Sequence, residues 1–412
     1  MCMAKKDKIV GVDLGTTKVA AIIAEVEDNE LKIVGVGSTP SYGMKRGVIV
    51  NLEKAITSIK KAIEEASKMA GVRVDSCYAG ISGSHIESIN AHAMIATSRT
   101  GGTITKRDIE RVIEQAKAII LPMDREIIHA IPIEYIVDNE RGIKDPIGMS
   151  GVKLEAEVHI VTAAIASAQN IYTALHRAGL KVKDLVLQPL ASSYAVLQPD
   201  ELDLGVCLLD IGGGTTDLAI FYDGSIRYSQ VIPLGGEYIT NDIAIGIRTP
   251  HNQAEAIKKK YATLTLKEEE KQEEIKVPGI GGREDRVITK EALHNIVSPR
   301  VEEILMIANR EIKKSGYADV LGAGVVITGG TARLGSLDRF AEEIFNLPVK
   351  IGIPKKIGGL TDIILDPIYA TGVGLILYGF EKKNVSLIQR EKGMSIIEAL
   401  KKRFEDLFNK YF

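Results

Sequence analysis

The sequence predicts an α/β protein of two lobes, each built on a β-turn-β hairpin able to hold a phosphate, and three observations lead there. A chain of 412 residues exceeds one ordinary hydrophobic core, so two domains are expected. The run Val10-Gly11-Val12-Asp13-Leu14-Gly15-Thr16-Thr17-Lys18 has an echo at the midpoint, Leu208-Leu209-Asp210-Ile211-Gly212-Gly213-Gly214-Thr215-Thr216-Asp217. A third run, Val325-Val326-Ile327-Thr328-Gly329-Gly330-Thr331-Ala332, again carries an apolar strand into a Gly-Gly turn.

In both hairpins a β-branched apolar run ends at an Asp, turns through Gly and Thr, and resumes as a second apolar run, Val19 to Ala24 or Leu218 to Tyr222. Glycines let the backbone approach an anion, Thr hydroxyls add donors, and the Asp can hold Mg²⁺ through water. One such turn alone is a weak signal, because Asp, Gly and Thr make good turns anywhere. Two copies and a third strand-to-glycine element in order are not explained as turns. The repeat also puts the boundary between lobes near Asp200 to Gly205.

The next elements follow the same logic. Leu52, Ile56, Ile59, Ile63 and Ala66 lie on one face of a helix after Gly43 to Asn51. Thr105 can cap a helix and Asp108 can box it, with Ile109, Val112, Ile113, Ala116 and Ile120 apolar; Glu134 to Val137 reads as a strand. Pro299 predicts that Arg300 begins a helix rather than sitting inside one. Glu381 to Met394 reads as a polar linker after the last core helix. Beyond it Ile396, Ile397, Leu400, Phe404, Leu407, Phe408, Tyr411 and Phe412 form one helical face opposite Lys401, Lys402, Arg403 and Lys410. Such a helix either docks on the protein's own core or lies on an anionic membrane surface. The preceding linker and the clustering there of three of the chain's seven phenylalanines favour the membrane.

Composition narrows the function classes. Net charge is −2, and no basic stretch is interleaved with aromatics, which argues against nucleic acid. Cys2, Cys77 and Cys207 are scattered without metal-ligand spacing and fit a reducing cytosol. Lys5 to Lys8 run straight into the first strand with no signal-peptide core. The apolar stretch Ile368 to Phe380 falls short of the roughly 20 residues a spanning helix needs.

The ordered loops resemble the actin-like ATPase superfamily, whose members include actin, chaperone ATPases, sugar kinases, MreB, FtsA and PilM. Leu187 to Ala195 and Asp366 to Gly374 resemble its two connecting helices. Within it, Gly43 to Asn51, Asp145 to Glu155 before the strand Val158 to Thr162, and Lys276 to Arg283 are similar to FtsA, the actin-like cell-division family. The resemblance implies the actin-like two-lobed fold, with duplicated ribonuclease-H-like domains and an inserted subdomain in place of the actin cap. Residues 1–84 and 161–200 would form the first lobe, 85–160 the insertion, 201–230 and 305–380 the second lobe, 231–304 its cap, 381–394 a linker and 395–412 the membrane helix.

By position, the resemblance implies ATP between the lobes. Gly15, Thr16, Thr17 and Lys18 would hold phosphates from one side and Gly213, Gly214, Thr215 and Thr216 from the other, with Asp13 and Asp210 organising Mg²⁺ through water. Gly235 and Gly236 would approach the sugar-phosphate, and Gly329, Gly330, Thr331 and Arg333 would border the base. Glu255 and Lys258 are either ribose or base contacts or a solvated i,i+3 pair. Gln188 either positions water or only caps a helix; an amide is no effective general base, so hydrolysis is expected to be slow at most. The resemblance further implies self-association into filaments, binding of the C-terminal tail of FtsZ through Arg300, Glu303 and Arg286, and contacts with later division proteins. A peripheral place at the division site, on the cytoplasmic face of the membrane, would rest on Ile397, Leu400, Phe404, Leu407, Phe408, Tyr411 and Phe412. The alternatives are a pilus or secretion assembly ATPase of the PilM kind, which lacks the terminal helix, and a small-molecule kinase, for which no catalytic Asp is identifiable.

Overall fold

A computed structural model describes residues 7–27, 30–97, 102–279 and 283–392. The expected terminal helix therefore lies outside the described residues.

The two echoing sequences are the central hairpins of two similar sheets. In the first, Asp7–Leu14 pairs antiparallel with Lys18–Glu27, from Asp7 opposite Val26 to Leu14 opposite Val19. Glu30–Pro40 extends that side, while Ser76–Ile81 and then Lys181–Leu187 add parallel strands on the other. In the second, Val206–Ile211 pairs antiparallel with Thr216–Tyr222, Ser225–Ile232 follows, and Val325–Thr328 and Val349–Ile351 add parallel strands. The central strands are buried on both faces, which explains why they read as unbroken apolar runs.

Two helices join the lobes: Gln188–Val196, and Ala370–Lys392 following the turn at Pro367–Tyr369. Their small residues are required by contact. A Cβ on Gly374 would lie 1.8 Å from the Ala191 carbonyl oxygen, and one on Gly11 would lie 2.8 Å from that of Gly372. The helices therefore cross backbone to backbone, directly beneath the first hairpin.

Between Ser82 and the helix Ile165–Arg177 the chain builds a separate sheet, ordered Glu87–Ala96, Lys153–Ala164, Arg125–Val137, Glu140–Ile143. The helix Lys106–Lys117 covers it, and Thr105 and Asp108 form the expected capping box. Tyr135, Leu154, Val158 and Ile160 give this part its own core. The helix Leu52–Ala70 is capped by Asn51, whose Oδ1 accepts from the Lys54 amide at 3.0 Å.

Three expectations are corrected. Ile120 lies beyond the Lys106–Lys117 helix and is fully exposed. Pro299 does not begin a helix; it sits inside Lys290–Lys314, so Arg300 is mid-helix. The lost hydrogen bond and ring clash cost about 3 kcal/mol. Burial of Leu293, Val297, Val301, Ile304 and Leu305 on the same helix, at about 1.5–3 kcal/mol each, outweighs that. Finally, the segment read as a linker continues the second connecting helix to Lys392. At its start Lys382 pairs with Asp184 at 3.8 Å, Lys383 pairs with Asp7, and Asn384 is buried. No Gly or Pro interrupts 380–392 to stop the helix.

Gly374→Ala tests the crossing. The added methyl has only backbone to displace, so stability should fall by about 3 kcal/mol or more in urea unfolding; an unchanged midpoint would contradict the close approach.

Candidate functional site

A cavity of about 560 Å³ lies between the lobes. Asp13, Gly15, Thr16, Thr17 and Lys18 of the first hairpin form one wall, and Asp210, Gly213, Gly214 and Thr215 of the second form the other. Gly236, Glu255 and Lys258 close one end, with Gly329, Gly330, Thr331 and Arg333 beside them; Gln188 also lines it. The loops meet face to face, since a Cβ on Gly213 would lie 2.4 Å from Thr17 Cγ2 and one on Gly214 2.4 Å from Thr16 Oγ1. Any larger residue would fill the cradle that an anion needs.

Two predicted residues stand behind the wall rather than in it. Strand alternation turns Thr216 away, and its hydroxyl donates to the Leu234 carbonyl at 2.9 Å. Gly235 packs under the second loop, where its Cβ would lie 2.6 Å from the Gly212 carbonyl oxygen. There it starts the helix Gly236–Gly246, whose first amides, those of Gly236 and Glu237, donate to the carbonyls of Gly212 and Gly213 at 2.9 and 2.7 Å.

The carboxylates are the site's dominant electrostatic feature. Asp13 is pushed up to about 6 by burial, with Asp210 adding to the shift and Lys18 opposing it at 3.8 Å. Asp210 is raised by burial, although Ser192 and Thr371 donate to its Oδ2 at 2.6 and 3.0 Å. Asp217, opposite Asp210 in the hairpin register, is pushed up to about 7 by burial while Ser82 and Thr215 donate to it at 2.5 and 2.9 Å. Burial lowers the Lys18 ammonium, which donates to the Ile368 carbonyl at 2.5 Å and lies 4.6 Å from the centre of the Tyr369 ring.

Buried carboxylates held above their ordinary range favour a cation beside them. Among the described residues no group of three His, Cys, Asp or Glu side chains is placed to ligate a metal directly. Asp13 and Asp210 thus suit a hydrated cation, reached through water. The residues present fit a phosphate with its divalent ion: donors and glycines line both walls and carboxylates the floor.

Gln188 is the first residue of its helix, after the cap at Leu187, and its Nε2 donates to Asp13 Oδ1 at 3.2 Å. Glu255 and Lys258 are not a solvated pair. They meet at 2.7 Å, and Lys258 also donates to the Gly236 carbonyl and Thr240 Oγ1 at 2.9 and 2.8 Å. Ser192, Thr371 and Asp217 escaped the sequence reading. The last could have been found from its register opposite Asp210.

Arg300, Glu303 and Arg286 lie away from the cavity. Arg300 grips Asp242 through Nε at 2.6 Å and Nη2 at 3.2 Å, pairs with Glu303, and lies 5.8 Å from the Tyr238 ring centre. Arg286 donates to the Ile247 and Arg248 carbonyls at 2.6 and 3.1 Å, at the end of the Gly236–Gly246 helix.

Two duplicated α/β lobes closing on one cleft define an actin-like protein, and comparison of folds agrees. The PilM-PilN type IV pilus biogenesis complex superposes with a TM-score of 0.66 at 16% identity, covering 91% of this chain and 99% of that one. MreB5 of Spiroplasma citri bound to ADP gives 0.54 at 16% identity over 92% and 98%. Likeness at that identity shows the fold alone.

Sequence comparison is narrower. The model of the cell division protein FtsA matches residues 207–374, and that of the SHS2 domain inserted in FtsA matches residues 83–162. The chain is 46% identical over 388 residues to the cell division protein FtsA of Pseudomonas aeruginosa, covering 94% of this chain and 93% of that one. It is 41% identical over 416 residues to that of Neisseria meningitidis, covering 98% and 100%. The chain belongs to the FtsA family of cell-division proteins, with the actin-like fold and the FtsA insertion. No helix among the described residues is long and apolar enough to cross a membrane.

The raised carboxylates predict a pH dependence. For Asp13 and Asp217, whose folded values exceed the unfolded one, the stabilising contribution is full below about 4 and is lost as pH rises through about 6 to 7. Without added ligand, urea stability should fall across that window. Asp217→Asn should flatten part of the fall, and an identical profile would contradict the burial of an ionisable Asp217.

Proposed function

We propose that the chain binds ATP with Mg²⁺ between its lobes and tethers FtsZ to the membrane during division. The observation that carries the reading is the pair of phosphate loops facing each other across one cavity in a chain of the FtsA family. Gly15, Thr16, Thr17 and Lys18 hold phosphates from one side and Gly213, Gly214 and Thr215 from the other, while Thr216 and Gly235 shape the second loop from behind. Mg²⁺ at Asp13 and Asp210 would neutralise phosphate charge. Glu255 and Lys258 face ribose or base, and Gly329, Gly330, Thr331 and Arg333 border the base. That MreB5, a protein of the same fold, was solved bound to ADP supports a nucleotide here.

Gln188, held by Asp13, orients water without abstracting its proton, so turnover is slow at most and nucleotide serves mainly to close the lobes for self-association into filaments. The units in this reading are residues 1–84 with 161–200, 85–160, 201–230 with 305–380, and 231–304. The terminal residues 395–412 form the membrane anchor, through Ile397, Leu400, Phe404, Leu407, Phe408, Tyr411 and Phe412. They place the chain peripherally on the cytoplasmic face at the division site, where it also meets later division proteins. One such helix binds reversibly, and filament avidity strengthens it.

Liposome co-pelleting of FtsZ tests the tether. The intact chain with ATP should carry FtsZ down, and a chain ending at Gly393 should not. Pelleting of the intact chain without FtsZ would remove the partner; failure of the intact chain to pellet would remove the anchor.

The FtsZ tail is partly acidic, and Arg300 is the proposed contact, with Glu303 and Arg286 beside it. Asp242 holds the Arg300 guanidinium at rest, so a tail carboxylate has to exchange for Asp242. Arg300→Gln should weaken tail-peptide binding about tenfold or more, whereas Asp242→Asn should leave it equal or tighter. Equal losses from both variants would assign Arg300 a purely structural role.

A further inference from the structure

The inserted subdomain leaves the first lobe at Ser82 and returns to it at the helix Ile165–Arg177, yet its sheet is fastened to the second lobe. The fastening follows Ser225–Ile232, the edge strand of the second sheet, against which Glu87–Ala96 and Arg125–Val137 pack. Ser88 Oγ donates to the Ser229 carbonyl at 2.7 Å, and Ser225 Oγ donates to the Ile133 carbonyl at 3.1 Å. Lys144 Nζ donates to the Asp223 carbonyl at 2.6 Å and pairs with its carboxylate at 2.6 Å.

At the centre lies a buried relay. Asn90 Nδ2 donates to the Arg227 carbonyl at 2.9 Å, which leaves Asn90 Oδ1 to accept from His159 Nδ1 at 2.6 Å. The ring proton is thereby assigned to Nδ1, and Nε2 accepts from Ser229 Oγ at 2.9 Å. His159 is 1% exposed and Ser229 3%, so these hydrogen bonds are made away from water, and separating the two surfaces has to break them. At the root of the insertion, Ser82 Oγ crosses the cleft to Asp217 in the cavity wall.

We propose that the inserted subdomain is an interlobe brace, which holds the cleft closed and sets the rate at which nucleotide leaves it. The inference rests on the reading of the cleft as a nucleotide site. Release of a ligand enclosed by both hairpins requires the second lobe to swing away from the first. The insertion is covalently part of the first lobe and hydrogen-bonded to the second, so that swing must break the relay or bend the insertion's own sheet. Loosening the brace lowers the barrier to opening without touching any group in the cavity.

The test is the dissociation rate of a fluorescent ATP analogue from the full chain with Mg²⁺, chased by excess ATP. Asn90→Ala removes the middle of the relay and should speed release about fivefold, the loss of roughly one net hydrogen bond. Lys144→Met removes a partly exposed contact at the far end and should speed release about threefold. A parent-like release rate for Lys144→Met and for a folded Asn90→Ala would overturn the brace while leaving the nucleotide site intact. Failure of the parent chain to bind the analogue at all would remove the cleft reading and the brace with it.

Discussion

The rest of the molecule depends on one close approach, the crossing of the two connecting helices at Gly374 and Ala191. With a Cβ position only 1.8 Å from a carbonyl oxygen, the helices pack at backbone distance. That distance brings Ser192 of one and Thr371 of the other onto the same Asp210 oxygen. The crossing therefore fixes the angle between the lobes and the position of the cleft floor together. A larger residue there would push apart two hairpins whose loops already touch through Thr16, Thr17, Gly213 and Gly214.

What the crossing assembles is electrostatically unfinished. Asp13, Asp210 and Asp217 are buried side chains of the cavity wall with Lys18 beside Asp13, and burial drives all three carboxyls upward. Hydroxyls from Ser82, Ser192, Thr215 and Thr371 offset part of the cost and do not remove it. A protein that gained nothing from these groups would be more stable with Asn in their place. Their presence in a glycine-lined cradle is the physical reason to read the cleft as a site for a phosphate accompanied by a divalent ion.

The hairpins were legible in the sequence because their signal is local: apolar runs, a terminal Asp and Gly-Thr turns within ten residues. The connecting helices were legible from small residues, the insertion helix from its capping box. Tertiary forces hid the rest. Pro299 is a helix breaker by local rules, overridden by the apolar face that continues through Val301 and Leu305. Glu381 to Lys392 reads as a linker from its polarity, yet Lys382 and Lys383 at its start pair with Asp184 and Asp7, partners distant in sequence. Thr216 reads from the local pattern as a phosphate donor, yet alternation along the strand turns it inward, and Asp217 stands out only through its register opposite Asp210. The Asn90–His159–Ser229 relay joins three strands of two sheets, a juxtaposition no single stretch of sequence displays.

The claim on which the functional reading turns is that one nucleotide binds between the lobes with a divalent cation. Calorimetric titration of ATP into the intact chain, with and without Mg²⁺ and alongside Asp210→Asn, tests it most directly. One site per chain, tightened by Mg²⁺ and largely indifferent to it in the variant, is the predicted result. Binding that ignores Mg²⁺ in the parent, or no binding heat at any ATP concentration reached, would contradict it.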